Sequence, residues 1–318
     1  MGGMRIEFTK CHGSGNDFPL IDARALTLSE ADWATLARLL ADRAGPVGGD
    51  GLLALVPGDD AHAFGMRMWN SDGSEAETCL NGLRCTARLG FDLLGLDAAQ
   101  VKLKTSAASV SRDPEIAPGV ATIRTLVGPN STRAADVGLV GAPEQVRDAP
   151  IDGLPSARAF TAVAMPNPHL VTFVDRVDEA ELVALGEWCE SRPALLPARA
   201  NVSFVELRGP TRLFVRTFER GVGLTDSCGS AMAASVLSAA LTGRVAFGTP
   251  IEVFNRGGMV RGQAEADTRV ILSGNATFEA ERAIEVDFAA GTLGAVETLH
   301  DRGEERAAWE AMVAGLAG

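Results

Sequence analysis

Glu77-Thr78-Cys79-Leu80-Asn81-Gly82 and Asp226-Ser227-Cys228-Gly229-Ser230-Ala231 carry one pattern twice: an acid, a hydroxyl residue and a cysteine. Each enters a run of small and apolar residues with helical spacing, the first from Leu80 to about Leu94. A cysteine opening a helix twice in one chain points to an internal duplication. The fold expected is α/β of the α+β type, in two similar lobes.

Working outward in the first half, Arg5 to Lys10 alternates as a strand and runs into the glycine-rich turn Cys11-His12-Gly13-Ser14-Gly15-Asn16-Asp17. Ser29, with Asp32 three residues on, reads as an N-cap before the periodic Trp33, Leu36, Leu39 and Leu40, in a helix expected to stop near Gly45-Pro46. Leu52–Val56 and Phe64–Asn70 read as strands, the second leading through Asn70-Ser71-Asp72-Gly73-Ser74 to Cys79; Val101–Thr105 and Val120–Val127 are further strands. The stretch 128–157, rich in Pro, Gly, Asp and Arg, reads as the connection to the second lobe.

The second half repeats the style. Strands are expected at Phe160–Ala164, Leu170–Asp175, Val202–Leu207 and Leu213–Phe218, with a helix opening at Asp178 and a capping box completed by Glu181. The domain reading is an N-terminal lobe over 1–130 carrying Cys79 and a C-terminal lobe over 131–275 carrying Cys228. A final strand over 276–288 packs back on the first lobe, and a C-terminal extension of helical character occupies 289–318.

The cysteines bear on chemistry. Removing the α-proton of an amino acid needs a base on one face, an acid on the other, and stabilisation of the carbanion. A thiol at a helix N-terminus lies beside unpaired N–H groups and the positive end of the dipole, which favour the thiolate. Both cysteines are therefore expected to be able to ionise near neutral pH. The N–H groups of Leu80, Asn81, Gly229 and Ser230 are suited to grip an α-carboxylate. Cys85 and Cys189, inside apolar helical patterns, read instead as buried core residues.

Composition narrows the alternatives. The 318 residues carry a formal net charge of -12 with no clustered Lys/Arg run, so nucleic acid is not expected as a partner. No apolar stretch approaches membrane-spanning length and the N-terminus lacks a signal-peptide layout, so a cytoplasmic location and no membrane partner are expected. Met1-Gly2-Gly3 does not make a myristoylation signal, since Ile6 stands where Ser or Thr is wanted. Five scattered cysteines read as free thiols, and the four histidines show no metal-site spacing with them, so no metal is expected.

The stretches KCHGSGNDF (10–18), NSDGSEAETCLNGLRC (70–85), MPNPH (165–169), ARANVSF (198–204) and FERGVGLTDSCGSA (218–231) resemble the diaminopimelate epimerase family in content and order. The resemblance implies two pseudo-symmetric lobes, each a β-sheet wrapped around a central helix. It implies Cys79 and Cys228 as an acid/base pair on opposite faces of a substrate α-carbon, with no cofactor and no metal, and it carries the expectation of a homodimer. It implies that Asn16, Asn70, Asn167, Asn201, Glu219 and Arg220 hold the far end of diaminopimelate, a small amino-acid substrate, and that His169 and Glu219 tune the thiols. A guanidinium and amides suit a distal carboxylate, and a carboxylate suits an ammonium.

Four departures stand beside these positions: Leu80, Pro166 and Ala231 where the family has Gly, and Gly51 where it has Gln. Leu80 keeps its N–H but adds a side chain, and would be strained at φ > 0. Pro166 has no N–H and Gly51 no amide. These departures keep open a racemase of another polar amino acid, such as histidine, or a non-catalytic binding homologue.

Overall fold

The computed structural model describes residues 3–77, 79–165 and 167–316; Met1, Gly2, Thr78 and Pro166, which figured above, lie outside the described residues. The chain clusters into two units, Met1–Thr125 with Ser273–Gly318, and Leu126–Leu272.

The first unit opens with β1 (Met4–Gly13), β2 (Asn16–Asp22), α1 (Glu30–Ala41), β3 (Gly51–Asp59), β4 (His62–Asn70), α2 (Leu80–Leu94), β5 (Ala98–Lys102) and β6 (Ala107–Asp113), and the chain leaves it along β7 (Thr122–Val127). β1 and β2 form an antiparallel hairpin, β2 runs parallel to β3, β3 antiparallel to β4, β4 parallel to β5, and β5 antiparallel to β6.

The second unit contains α3 (Ala134–Val137), β8 (Thr161–Ala164), β9 (Pro168–Val174), α4 (Glu179–Glu190), β10 (Asn201–Gly209), β11 (Arg212–Glu219), β12 (Gly223–Thr225), α5 (Gly229–Leu241), β13 (Ile251–Asn255) and β14 (Gly258–Ala264). Its pairings repeat the first unit's in order and sense: β8–β9 antiparallel, β9–β10 parallel, β10–β11 antiparallel, β11–β13 parallel and β13–β14 antiparallel. The short β12, paired to β11, is inserted into the repeat. Part of the stretch read as connector forms α3, and its apolar residues Ala134, Val137, Leu139 and Val146 join the second unit's core.

The chain returns through β15 (Val270–Asn275) to β16 (Thr277–Asp287), which pairs with β1, and finishes with β17 (Thr292–Leu293), β18 (Glu297–Asp301) and α6 (Gly303–Leu316). β18 pairs with β16, and α6 packs on the same strand.

Periodicity explains the layering. Gly51 to Leu55 of β3 are buried without alternation, the signature of a strand covered on both faces. Leu52 and Ala54 pack with Trp33, Leu36 and Leu40 of α1, while Leu53 lies under Gly82 of α2. Trp33 stacks on Trp69 at 4.8 Å between centroids. In the second unit Leu182 and Leu185 of α4 pack with Val202 and Phe204 of β10. The central helices differ from these outer ones: every residue of α5 from Ala231 to Ala240 is buried, as expected of a helix apolar all round.

Local signals account for most helix ends. Ser29 is the expected N-cap and forms a full capping box with Asp32, but α1 stops at Ala41, before Gly45. At α4 the expected box is only half formed. The Asp178 side chain accepts from the Ala180 and Glu181 N–H groups, but the Glu181 carboxylate is taken by a bidentate pair with Arg158.

Candidate active site

In the first unit Cys79 is the N-cap of α2. Its sulfur accepts the Gly82 N–H at 3.3 Å, and its thiol points to Asn16 Oδ1 at 3.6 Å. The Asn81 amide donates to the same Asn16 oxygen at 3.4 Å. Asn16 is oriented from behind by its own Nδ2, which donates to Asp50 at 2.5 Å. Asp50 in turn accepts from Arg43. Asn16, Cys79 and Asn81 therefore form one group, held by the β1–β2 turn and the start of α2. Asn70, at the end of β4, donates instead to Ser74 Oγ within its own loop at 3.0 Å. Leu80 is a buried first-turn residue and is not among the positive-φ residues of the described chain, so the strain its side chain would bring at φ > 0 does not arise.

In the second unit Cys228 caps α5 in the equivalent position, with Gly229 and Ser230 opening the helix. Its Sγ lies 3.5 Å from Ser230 Oγ, and the Ala231 backbone N–H acts on it from the first turn. Glu219, at the end of β11, accepts from Thr225 Oγ1 at 2.6 Å and acts on the Cys228 thiol. A second chain of contacts links the remaining expected residues: His169 Nε2 lies 2.8 Å from Asn167 Oδ1 and 3.3 Å from Asn201 Nδ2, and Asn201 Oδ1 accepts the Arg220 N–H at 2.9 Å. Ala231, the third of the departures from small residues, is buried in α5.

The electrostatics correct one expectation. Burial pushes the Cys228 thiol well above its ordinary range, and the Glu219 carboxylate pushes it the same way, against a smaller opposing effect of Ser230. Cys228 is thus a protonated thiol near neutral pH, not a ready thiolate: desolvation outweighs the helix tip. Burial, with the Arg220 charge, pulls His169 down to about 3, so its imidazole is neutral.

Gly51 has a plain structural cause. A Cβ there would run into the Trp69 carbonyl of the paired strand, so this backbone has no room for an amide side chain at that position. Pro166 lies outside the described residues. Reading the sequence missed Asp50, Arg43 and the buried Arg84. Arg84 stands inside a quoted motif and Asp50 beside Gly51, but the residues they hold, Ser14 and Asn275 for Arg84 and Asn16 for Asp50, come from distant segments. Cys85 and Cys189 are fully buried, as their apolar settings implied.

A family model described as diaminopimelate epimerase matches residues 8–112 and 161–279. A diaminopimelate epimerase of Clostridium acetobutylicum is 36% identical over 290 residues, covering 89% of this chain and 87% of the relative. One from Ligilactobacillus salivarius is 37% identical over 326 residues, covering 98% and 99%. Among solved structures, a PhzF-family phenazine biosynthesis protein of Bacillus anthracis superposes with a TM-score of 0.62 at 13% identity, covering 88% of this chain and 99% of that one. A hydroxyproline epimerase of Agrobacterium vitis superposes at 0.61 with 12% identity, covering 90% and 94%. These two establish a shared fold, while the sequence relatives go further: the chain belongs to the diaminopimelate epimerase family.

Proposed function

We propose that this chain interconverts LL- and meso-diaminopimelate, an isomerase step in the biosynthesis of lysine and peptidoglycan, with Cys79 and Cys228 supplying the two proton transfers. The observation that carries this reading is the duplicated placement of a cysteine at the N-cap of each central helix, in a chain of this family.

One thiolate removes the α-proton, leaving the electron pair on the α-carbon and its carboxylate, and the other thiol returns a proton to the opposite face. Each sulfur ends with the protonation state the other began with, so reaction in the reverse direction resets the pair. The first-turn N–H groups of Leu80, Asn81, Gly229 and Ser230 grip the α-carboxylate as negative charge builds on it. The elevated Cys228 thiol is the acid of the resting enzyme, which leaves Cys79, the more exposed sulfur, as the base. Glu219, beside Cys228, holds that proton in place. His169 also acts on the thiol balance, as an uncharged imidazole. Asn16, Asn70, Asn167, Asn201, Glu219 and Arg220 fix the distal ammonium and carboxylate. The reading carries with it a cytoplasmic location and a homodimeric state, the latter checked by light scattering on the purified chain.

The test is deuterium uptake at the α-carbon of LL-diaminopimelate in heavy water. Exchange is expected, with formation of the meso isomer. Exchange with a different amino acid alone would overturn the substrate, and no exchange with any amino acid would overturn the two-thiol chemistry.

A further inference from the structure

Arg84 lies on α2, one turn beyond Cys79, and is fully buried. Among the described residues its guanidinium donates to neutral oxygens: Nε to the Asn275 carbonyl at 2.9 Å, and Nη2 to Asn81 Oδ1 at 2.9 Å and Ser14 Oγ at 3.1 Å. Nη1 has no hydrogen-bond partner, and no carboxylate is paired with Arg84 among the described residues. A buried cation without a counter-ion is costly, and such charges beside ionisable groups in a cleft are a mark of functional sites. The titratable groups that face it are Cys79 and Cys85 on its own helix and His12 on β1. Of these, Cys85 is fully buried and His12 is neutral, since burial, with Arg84 adding to it, pulls its imidazole down to about 4. The one of these groups that is part-exposed and tied to the Arg84 fork through hydrogen-bonded amides is Cys79.

The fold goes out of its way to admit this side chain. Gly13 of β1 faces it, and a Cβ there would lie 2.9 Å from Arg84 Nη2 and 2.7 Å from the Asn81 carbonyl. Ser14, in the left-handed region at φ 54°, turns its hydroxyl to Arg84 and its N–H to Asn275. The contacts continue to the sulfur: Arg84 fixes the Asn81 oxygen, which leaves the Asn81 amide to donate to Asn16, the residue to which the Cys79 thiol points.

We propose that Arg84 is a positioning residue for Cys79, whose buried charge stabilises the Cys79 thiolate and whose fork fixes the Asn81–Asn16 amides around the sulfur. The proposal rests on the reading of Cys79 as a proton-transfer group only for its effect on turnover; its effect on the thiol is measured directly. The probe is iodoacetamide, with alkylation of the Cys79 peptide followed by mass spectrometry across pH in the full chain.

Arg84→Gln is expected to raise the pH midpoint of Cys79 alkylation by about one unit, so that labelling near neutral pH slows about tenfold, with kcat falling more than KM rises. Arg84→Lys keeps the charge without the fork: its midpoint should stay near that of the parent while kcat still falls about tenfold. It also carries the test should Arg84→Gln fail to fold, because an upward shift as large as one unit in a chain that keeps the charge would overturn the proposal. An unmoved midpoint in a folded Arg84→Gln would overturn it equally. Neither result bears on the proposed function, which fails separately if Cys79→Ser retains full epimerisation.

Discussion

At the residue scale, the two cysteines occupy matching N-caps and yet differ in state. Cysteine is an unusual cap, since Ser, Thr, Asp and Asn are favoured there. At Cys79 the sulfur does the capping work on Gly82, whereas at Cys228 burial and Glu219 keep the proton on. Replacing Glu219 by Gln removes one of the two effects that raise the Cys228 thiol. The pH midpoint for alkylation of Cys228 should therefore drop, while epimerisation falls; an unchanged or higher midpoint would show that burial alone sets it. Serine at either 79 or 228 should lower kcat/KM by orders of magnitude, read as isomer formation, because a hydroxyl is a far weaker proton acceptor than a thiolate at this pH. Gly51 makes the opposite kind of prediction. Gly51→Gln restores the family's residue but drives a Cβ into the Trp69 carbonyl, so we expect a loss of about 1–3 kcal/mol in urea unfolding and no gain in turnover.

At the scale of elements, the sequence was legible wherever one signal dominated. α2 forms over the residues its spacing implied, and Ser29 with Asp32 marks the start of α1. β2 was not legible, because Asn16–Asp22 contains Pro19 and buries Phe18 to Ile21 consecutively, without alternation. Of the strands after the central helices, β6 and β14 are broken by small or glycine residues and β13 is only five residues long, so their pairing is set by the duplicated sheet. The C-terminal extension read as helical has a role that only the fold reveals. The α6 residue Glu305 takes both terminal nitrogens of Arg88, a buried arginine on α2, and Trp309 meets the His12 ring edge-on at 5.3 Å. Burial works against the Glu305 charge, but the Arg88 guanidinium outweighs it and holds that carboxyl below the usual range. Two changes should thus destabilise the first unit: Trp309→Ala, by about 3–5 kcal/mol for a buried tryptophan, and Glu305→Gln, by about 1–3 kcal/mol, because Arg88 loses its bidentate carboxylate but keeps Asp92 at 3.9 Å and the Ala276 carbonyl. Thermal melts measure both, and a change of under about 1 kcal/mol in each would show α6 to be a dispensable appendage.

At the scale of the molecule, each unit keeps one histidine buried and neutral, and this sets an acid limit on the fold. His12 in the first unit is held down to about 4 and His169 in the second to about 3, in both cases first by burial. On His12 the Asp17 carboxylate opposes burial, with Arg84 and Lys10 acting against it, and on His169 the Arg220 charge adds to burial. In the unfolded chain each imidazole titrates near 6.5. Because the folded values are depressed, the stability they contribute is complete above about pH 6.5 and is lost progressively as pH falls towards the folded values. By about pH 5 each histidine should have cost its unit about 2 kcal/mol, before the paired carboxylates begin to titrate. Urea midpoints should therefore decline between about pH 6.5 and 4.5 with a slope approaching two protons. His12→Asn and His169→Asn should each remove about one proton from that slope, whatever their effect at neutral pH. A parent chain whose midpoint is flat across this interval would mean that both rings accept a proton in the folded state. His169 would then be charged beside the Asn167 and Asn201 amides, and could not serve the neutral role assigned to it.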